Sequence, residues 1–285
     1  MRRNQGFSRA EWLQVLERND IDNVSQKRLK DSIISGVPED LRGRIWILLT
    51  KAEQLALRFN SDVFPKLCRQ VEPSVRLQIS KDLGRTFPEH AMFREKNGEG
   101  QRVLMNVLSA YANYDPEIGY CQGMSFIAGG LILQLQSEEP CFWTFVQIMY
   151  ELNWRILYKD GFPRLDRLLA FIERDLEDEF PEIAAQFRKE DFSVMTCFTH
   201  YILTIFMSSA PLDVAPRIFD MFLFEGERMV KALILKMISL KKRHILQLRG
   251  THLYNYLKHE LVKDCFAEYS VATLFSPIEA DEDSD

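Results

Sequence analysis

Apolar positions fall at helical spacing along most of this chain. Ser8 and Glu11 stand in capping-box register just before Trp12, Leu13 and Leu16, a hydroxyl and a carboxylate placed to satisfy each other's orphan amides. Pro38 sits where a first-turn proline opens a helix, followed by Leu41, Ile45, Trp46 and Leu49. Val103, Leu104, Val107, Leu108 and Tyr111 form one stripe. That helix is expected to stop by Asp115, because Pro116 disfavours α geometry in the residue before it. Pro140 predicts a helix through Asn153, apolar almost all round and therefore central, with Phe142, Trp143, Val146 and Met149. Leu165, Leu168, Leu169, Ile172 and Leu176 make another stripe, ended before Pro181. Pro216 to Glu225 reads as helix with Gly226 as its C′ residue. Met229, Val230, Leu233, Ile234, Met237 and Ile238 then run down one face of a long helix. Lys241, Lys242 and Arg243 near its end read as a solvated terminus that complements the helix dipole, with a membrane-facing patch as the alternative.

Strand signals are scarce. Asn97-Gly98 and Asp160-Gly161 are hairpin-type dipeptides, but neither is flanked by alternating apolar runs, so both read as loops. Thirteen Gly and eleven Pro in 285 residues is below average usage. The chain is therefore expected to be all-α, without a solenoid repeat, and Asp160 to Pro163 is the best candidate for a seam between two helical lobes. A 46% apolar and 27% charged composition is that of a globular domain. A net charge of −5 lacks the basic footprint of a nucleic-acid binder. Five of the seven residues from Glu279 to Asp285 are acidic and read as a solvated tail.

The five cysteines, Cys68, Cys121, Cys141, Cys197 and Cys265, are widely spaced and contain no C-x-x-C, and the five histidines form no ligand pattern. Neither a disulfide scaffold nor a metal site is expected, and a reduced, cytosolic setting fits best. The polar N-terminus lacks a signal-peptide core, and the apolar run Phe126 to Leu133 is too short to span a bilayer. Stand-alone enzyme motifs are missing: no G-x-x-x-x-G-K-[ST], no G-x-S-x-G, and no G-x-G-x-x-G opening a helix.

Two short segments carry more. One is Ile79-Ser80-Lys81-Asp82-Leu83-Gly84-Arg85-Thr86-Phe87-Pro88, the other Gly119-Tyr120-Cys121-Gln122-Gly123-Met124. They resemble the I-x-x-D-x-x-R and Y-x-Q-G motifs of the TBC-domain family, GTPase-activating proteins for Rab small GTPases. Ser35-Gly36-Val37-Pro38 with Arg42, Gly43 and Trp46 looks like that family's opening motif. Arg217-Ile218-Phe219-Asp220 and Glu225-Gly226 resemble its closing elements. The core motifs run from residue 35 to 226. The resemblance implies a single TBC-type domain of two packed helical lobes over 35–276, after a helical extension at 1–34 and before an acidic tail at 277–285.

By that resemblance Arg85 is an arginine finger, and Gln122 a second finger that takes over the GTPase's own water-positioning glutamine. Asp82 is expected to orient Arg85, being its neighbour one helical turn away. Ile79 and Leu83 pack the segment onto the core, and Tyr120 beside Gly123 fixes the glutamine loop or touches the Rab. Cys121 has no identifiable base beside it and is no nucleophile candidate, while Trp46, Trp143 and Phe219 read as core. The implied partner is a GTP-bound Rab that itself holds GTP and Mg²⁺, so no cofactor of the chain's own is expected. The implied setting is cytoplasmic, with recruitment to endomembranes through the Rab and a role in vesicle trafficking. The alternative is a Rab-binding module of the same fold without activity. Three positions depart from the family pattern: Gly84 where proline is frequent, Ser125 where Asn often follows the Q-G-M run, and Phe219 in place of the usual Trp.

Overall fold

Side-chain caps and first-turn prolines set many of the helix starts. The computed structural model of the chain describes residues 6–69 and 71–278, so the acidic Glu279–Asp285 segment lies outside the described residues. Helix makes up 70% of the structure, with no strand among the described residues. Helix α1 (Arg9–Arg18) begins with the reciprocal cap expected from sequence: the Ser8 hydroxyl accepts the Glu11 amide at 3.3 Å, and the Glu11 carboxylate accepts the Ser8 amide at 2.8 Å. Ser25 caps α2 (Gln26–Ser35) from one side only, its hydroxyl accepting the Arg28 amide at 3.3 Å. Pro38 does not open an α-helix. It keeps an extended ψ of 131°, and its carbonyl accepts the Leu41 amide at 3.1 Å, so the chain first closes a 3₁₀ turn, Glu39–Leu41. Helix α3 (Arg42–Thr50) follows.

Helices α4 (Ala52–Ala56), α5 (Val63–Arg69), α6 (Pro73–Leu83), α7 (Glu99–Tyr114), α8 (Met124–Leu135) and α9 (Glu138–Tyr150) complete the first half. The helix α7 stops at Tyr114, with Asp115 as its C-cap, where Pro116 requires it. Helix α9 starts two residues before Pro140 and ends at Tyr150, short of Asn153, which turns left-handed at φ 55° ahead of a 3₁₀ turn, Trp154–Tyr158. Its residues Cys141 to Met149 are all buried, as an all-round apolar helix demands. The second half holds α10 (Pro163–Glu179), α11 (Pro181–Lys189), α12 (Val194–Thr204), α13 (Ala215–Glu225), α14 (Glu227–Ile245) and α15 (Gly250–Asn255). A π-helical turn, Tyr256–Glu260, then leads into α16 (Leu261–Glu268) and α17 (Val271–Leu274). Gly226 ends α13 at φ 64°, in keeping with its expected place just past the helix.

Helix α7 is the hub of the first half and packs on α5, α6, α8 and α9, while α10 packs on α11 and α12. The two halves meet where α8 lies on α12 and α13 lies on α2 and α3. The last of these contacts is polar at its centre. Arg42 Nε donates to Asp220 Oδ2 at 3.3 Å, Trp46 Nε1 donates to Asp220 Oδ1 at 2.6 Å, and all three residues are buried. Phe219, the departure from Trp, stacks obliquely on Trp46 at 4.7 Å and on Phe222 at 5.6 Å.

At the end of α14, Arg243 is exposed in the last turn as the solvated-terminus reading expects, but Lys241 departs from both sequence readings. Lys241 is only 5% exposed and bridges Asp264 at 2.7 Å and Glu268 at 2.8 Å, both on α16. Its neighbour Lys242 pairs with Glu182. The cations therefore tie α14 to neighbouring helices. Spacing on α14 alone did not reveal this, because the acids lie on α11 and α16, more than twenty residues away in either direction.

Candidate functional site

Helix α6 carries the first motif segment to the site. Ile79 is fully buried and fixes the inward face of the helix, which places Asp82, one turn on, at the edge of the core and 4% exposed. The Asp82 carboxylate has two partners. Its Oδ1 accepts Arg85 Nη2 at 2.6 Å, and its Oδ2 accepts the Tyr120 hydroxyl. One buried carboxylate thus joins the two segments across 38 residues of sequence. The Arg85 side chain is 47% exposed and rises out of this contact into solvent. A guanidinium held at one nitrogen keeps its remaining N–H groups for another acceptor.

The turn after α6 is anchored as well. Thr86 is fully buried; its hydroxyl donates to the Asp82 carbonyl at 2.8 Å and pairs with the Ser125 hydroxyl at 2.9 Å. Ser125, a departure from the family pattern, therefore ties the first turn of α8 to the residue after Arg85. Phe87 takes a left-handed φ of 46° and packs edge-on to Phe126 at 5.6 Å. This approach needs Gly129: a Cβ there would lie 3.0 Å from both Thr86 Cγ2 and Phe87 Cε2.

The second segment is a loop from Asp115 to Gly123. Its start is a tight turn, in which the Asp115 carbonyl accepts the Ile118 amide at 3.2 Å and the Gly119 amide at 2.8 Å. Its end is Gly123, whose φ of 104° no L side chain adopts comfortably, with the Leu203 carbonyl 3.3 Å from where a Cβ would sit. Tyr120 is buried, and desolvation together with the Asp82 carboxylate pushes its hydroxyl well above the usual phenol range. It stays a neutral donor to Asp82. Cys121 Sγ donates to the Tyr158 carbonyl at 3.7 Å, and burial raises its thiol, so it is not an activated nucleophile. Gln122, between them and Gly123, is exposed.

Asp82, Arg85 and Tyr120 are in direct contact, and Gln122 stands two residues past Tyr120. Sequence reading missed Asp115 as more than a helix end, and it missed Arg155 altogether. Arg155 grips Asp115 in a fork, Nε to Oδ2 at 2.8 Å and Nη2 to Oδ1 at 2.9 Å. The spacing between these residues follows no helical or strand register, so no local pattern announces the pair. Among the described residues no group of three or more His, Cys, Asp or Glu is placed to hold a metal ion.

A family model described as the Rab-GTPase-TBC domain matches residues 39–246 of this chain. The chain belongs to the RabGAP-TBC family. This TBC domain is 34% identical over 234 residues to a Homo sapiens protein named ecotropic viral integration site 5 protein homolog, a match covering 82% of this chain and 28% of that protein. It is 31% identical over 266 residues to the Caenorhabditis elegans Rab GTPase-activating protein tbc-11, covering 92% of this chain and 28% of the relative. The TBC domain described here thus spans little more than a quarter of the length of those relatives. Among solved structures, the Chlamydomonas flagellar RabGAP TBC domain superposes with a TM-score of 0.76 at 22% identity, over 93% of this chain and 89% of that one. The Ypt/Rab-GAP domain of Gyp1p gives 0.69 at 14% identity, over 90% and 98%. At such identities the likeness is one of fold, the all-α TBC fold.

Proposed function

We propose that this TBC domain accelerates GTP hydrolysis by a Rab-family GTPase, inserting Arg85 and Gln122 into the partner's nucleotide site. A Rab holds its own GTP and Mg²⁺; what a slow GTPase lacks is a cation for the charge that grows on the transferring phosphoryl group and a rigid guide for the attacking water. Arg85 supplies the cation, permanently charged and with N–H groups to spare. Gln122 supplies an amide that can donate to phosphate and accept from water. Both jobs are positional, so the scaffold matters as much as the side chains.

The observation that supports this reading is the shared carboxylate. Asp82 is bonded both to Arg85 and to Tyr120, which leaves the exposed Arg85 and Gln122 projecting from two segments pinned at one point. The partner is expected in its GTP-bound form, because the γ-phosphate orders the switch segments such a surface would read. Among the described residues no helix is long and apolar enough to cross a membrane; attachment to endomembranes would come through the lipidated Rab, placing the protein in vesicle trafficking.

Single-turnover hydrolysis on a panel of GTP-loaded Rabs tests this. Arg85→Ala is expected to lose about 10³–10⁵ of the stimulation while the fold survives with a lower melting temperature, since the buried Asp82 carboxylate loses one of its two partners. Undiminished stimulation by folded Arg85→Ala would falsify the finger assignment.

A further inference from the structure

The loop that carries Gln122 is held from one short element later in the chain. At its start, Asp115 is 3% exposed and receives the Arg155 fork together with the Tyr111 hydroxyl at 3.0 Å. Near its end, Cys121 donates to the Tyr158 carbonyl, and the Tyr158 hydroxyl donates at 2.5 Å to the Leu203 carbonyl that crowds Gly123. Arg155 and Tyr158 belong to the same 3₁₀ turn, Trp154–Tyr158, so a five-residue element grips both ends of the loop. The grip at Asp115 is tight. The Arg155 side chain is 14% exposed, reaches Glu117 at 2.6 Å as well, and lies 5.0 Å over the Tyr150 ring. The carboxylate it holds belongs to the residue whose carbonyl closes the first turn of the loop.

We propose that Arg155 is a positioning residue for Gln122: its two-point hold on Asp115 sets the register of the 115–123 loop and hence the place of the glutamine amide. The inference rests on the dual-finger reading above. Arg155 acts only through the loop. A lysine in its place keeps the charge but offers no planar fork for two carboxylate oxygens, so it holds Asp115 at one point in place of two.

The test is a double-mutant cycle on the full chain, read by single-turnover hydrolysis on the Rab that wild type stimulates most. The variants are Arg155→Lys, Arg155→Met, Gln122→Ala and the combinations of each Arg155 variant with Gln122→Ala. Arg155→Lys is expected to lower the maximal rate by about 10- to 100-fold, the scale of a misplaced catalytic group, with half-saturation by the TBC domain changed less than threefold. The same substitution should add nothing in the Gln122→Ala background. Amide hydrogen exchange at Ile118 and Gly119 should quicken while the α7 amides stay protected; this readout stands even if Arg155→Met fails to fold. Equal losses in the wild-type and Gln122→Ala backgrounds, or a wild-type rate in Arg155→Lys while Gln122→Ala is slow, overturn the inference and leave the dual-finger reading intact. Gln122→Ala at wild-type rate overturns both, as does a wild-type protein that stimulates no Rab.

Discussion

Gly84 has φ −71° and ψ −15°, values any residue adopts, and a Cβ there meets nothing within 4 Å. The glycine is therefore not using its freedom, and Gly84→Ala is expected to stabilise the domain by about 0.4–1 kcal/mol by narrowing the unfolded ensemble. Urea denaturation measures that gain; a loss of stability would mean the turn before Arg85 visits a left-handed conformation. Asp82 is the opposite case. Asp82→Ala strands the buried Tyr120 hydroxyl and is expected to cost about 1–3 kcal/mol, with hydrolysis falling further than stability alone explains because Arg85 loses its anchor. Tyr120→Phe separates the two effects: it keeps Asp82 on Arg85 and should retain most of the Arg85-dependent rate. How much of this was legible differs by residue. The pairing of Asp82 with Arg85 is written in their spacing, one helical turn apart. Its second partner, Tyr120, is not, because nothing local in a sequence measures a contact across 38 positions. Ser125 stands out in the sequence only as a departure from the family pattern, and only the fold gives it Thr86 to bond.

Helix positions were read well where an apolar stripe and a breaker agree. The stripe of α7 ends at Asp115 before Pro116, and that of α10 ends before Pro181, both as their patterns require. Where the two signals separated, the boundary moved. Pro38 lies ahead of a 3₁₀ turn that holds the first apolar residue of the stripe, so α3 starts later than the proline suggests. The elements also carry a constraint no periodicity expresses: α8 must be thin where the Arg85 turn crosses it. Gly129→Val puts branched carbon where Thr86 and Phe87 already stand at 3.0 Å from a first Cβ. It is expected to cost about 1–3 kcal/mol by overpacking and to slow hydrolysis by displacing the turn. Circular dichroism melts and single-turnover rates on the same sample check this; an unaffected rate would show that the turn can shift without harm to Arg85.

Over the whole molecule, the halves are closed by Asp220. Burial pushes its carboxyl up to about 6, against the pull of Arg42 and the Trp46 indole N–H. The sign follows from linkage. A carboxyl whose folded pKa is raised holds its proton more tightly when folded, so its contribution to stability is full below the unfolded value of about 3.9 and is lost as pH rises through the folded one. Asp220→Asn removes that component. Wild type is therefore expected to lose stability relative to Asp220→Asn as pH rises from about 4 to about 6.5, measured by urea denaturation at several pH values. Parallel profiles would mean that Asp220 titrates normally in the folded domain.

The closure also bears on how the chain is made. Arg42 leaves the ribosome 178 residues ahead of the Asp220 it needs, and Trp46 leaves 174 ahead. At about 5–20 residues per second, the wait is on the order of ten to thirty-five seconds. Throughout it, α3 presents a large aromatic face and an unanswered cation to solvent, at the stage when chaperones sample nascent chains. Synthesis that pauses before α13 prolongs this exposure, so slow codons in that stretch should lower the yield of folded domain without changing a single residue.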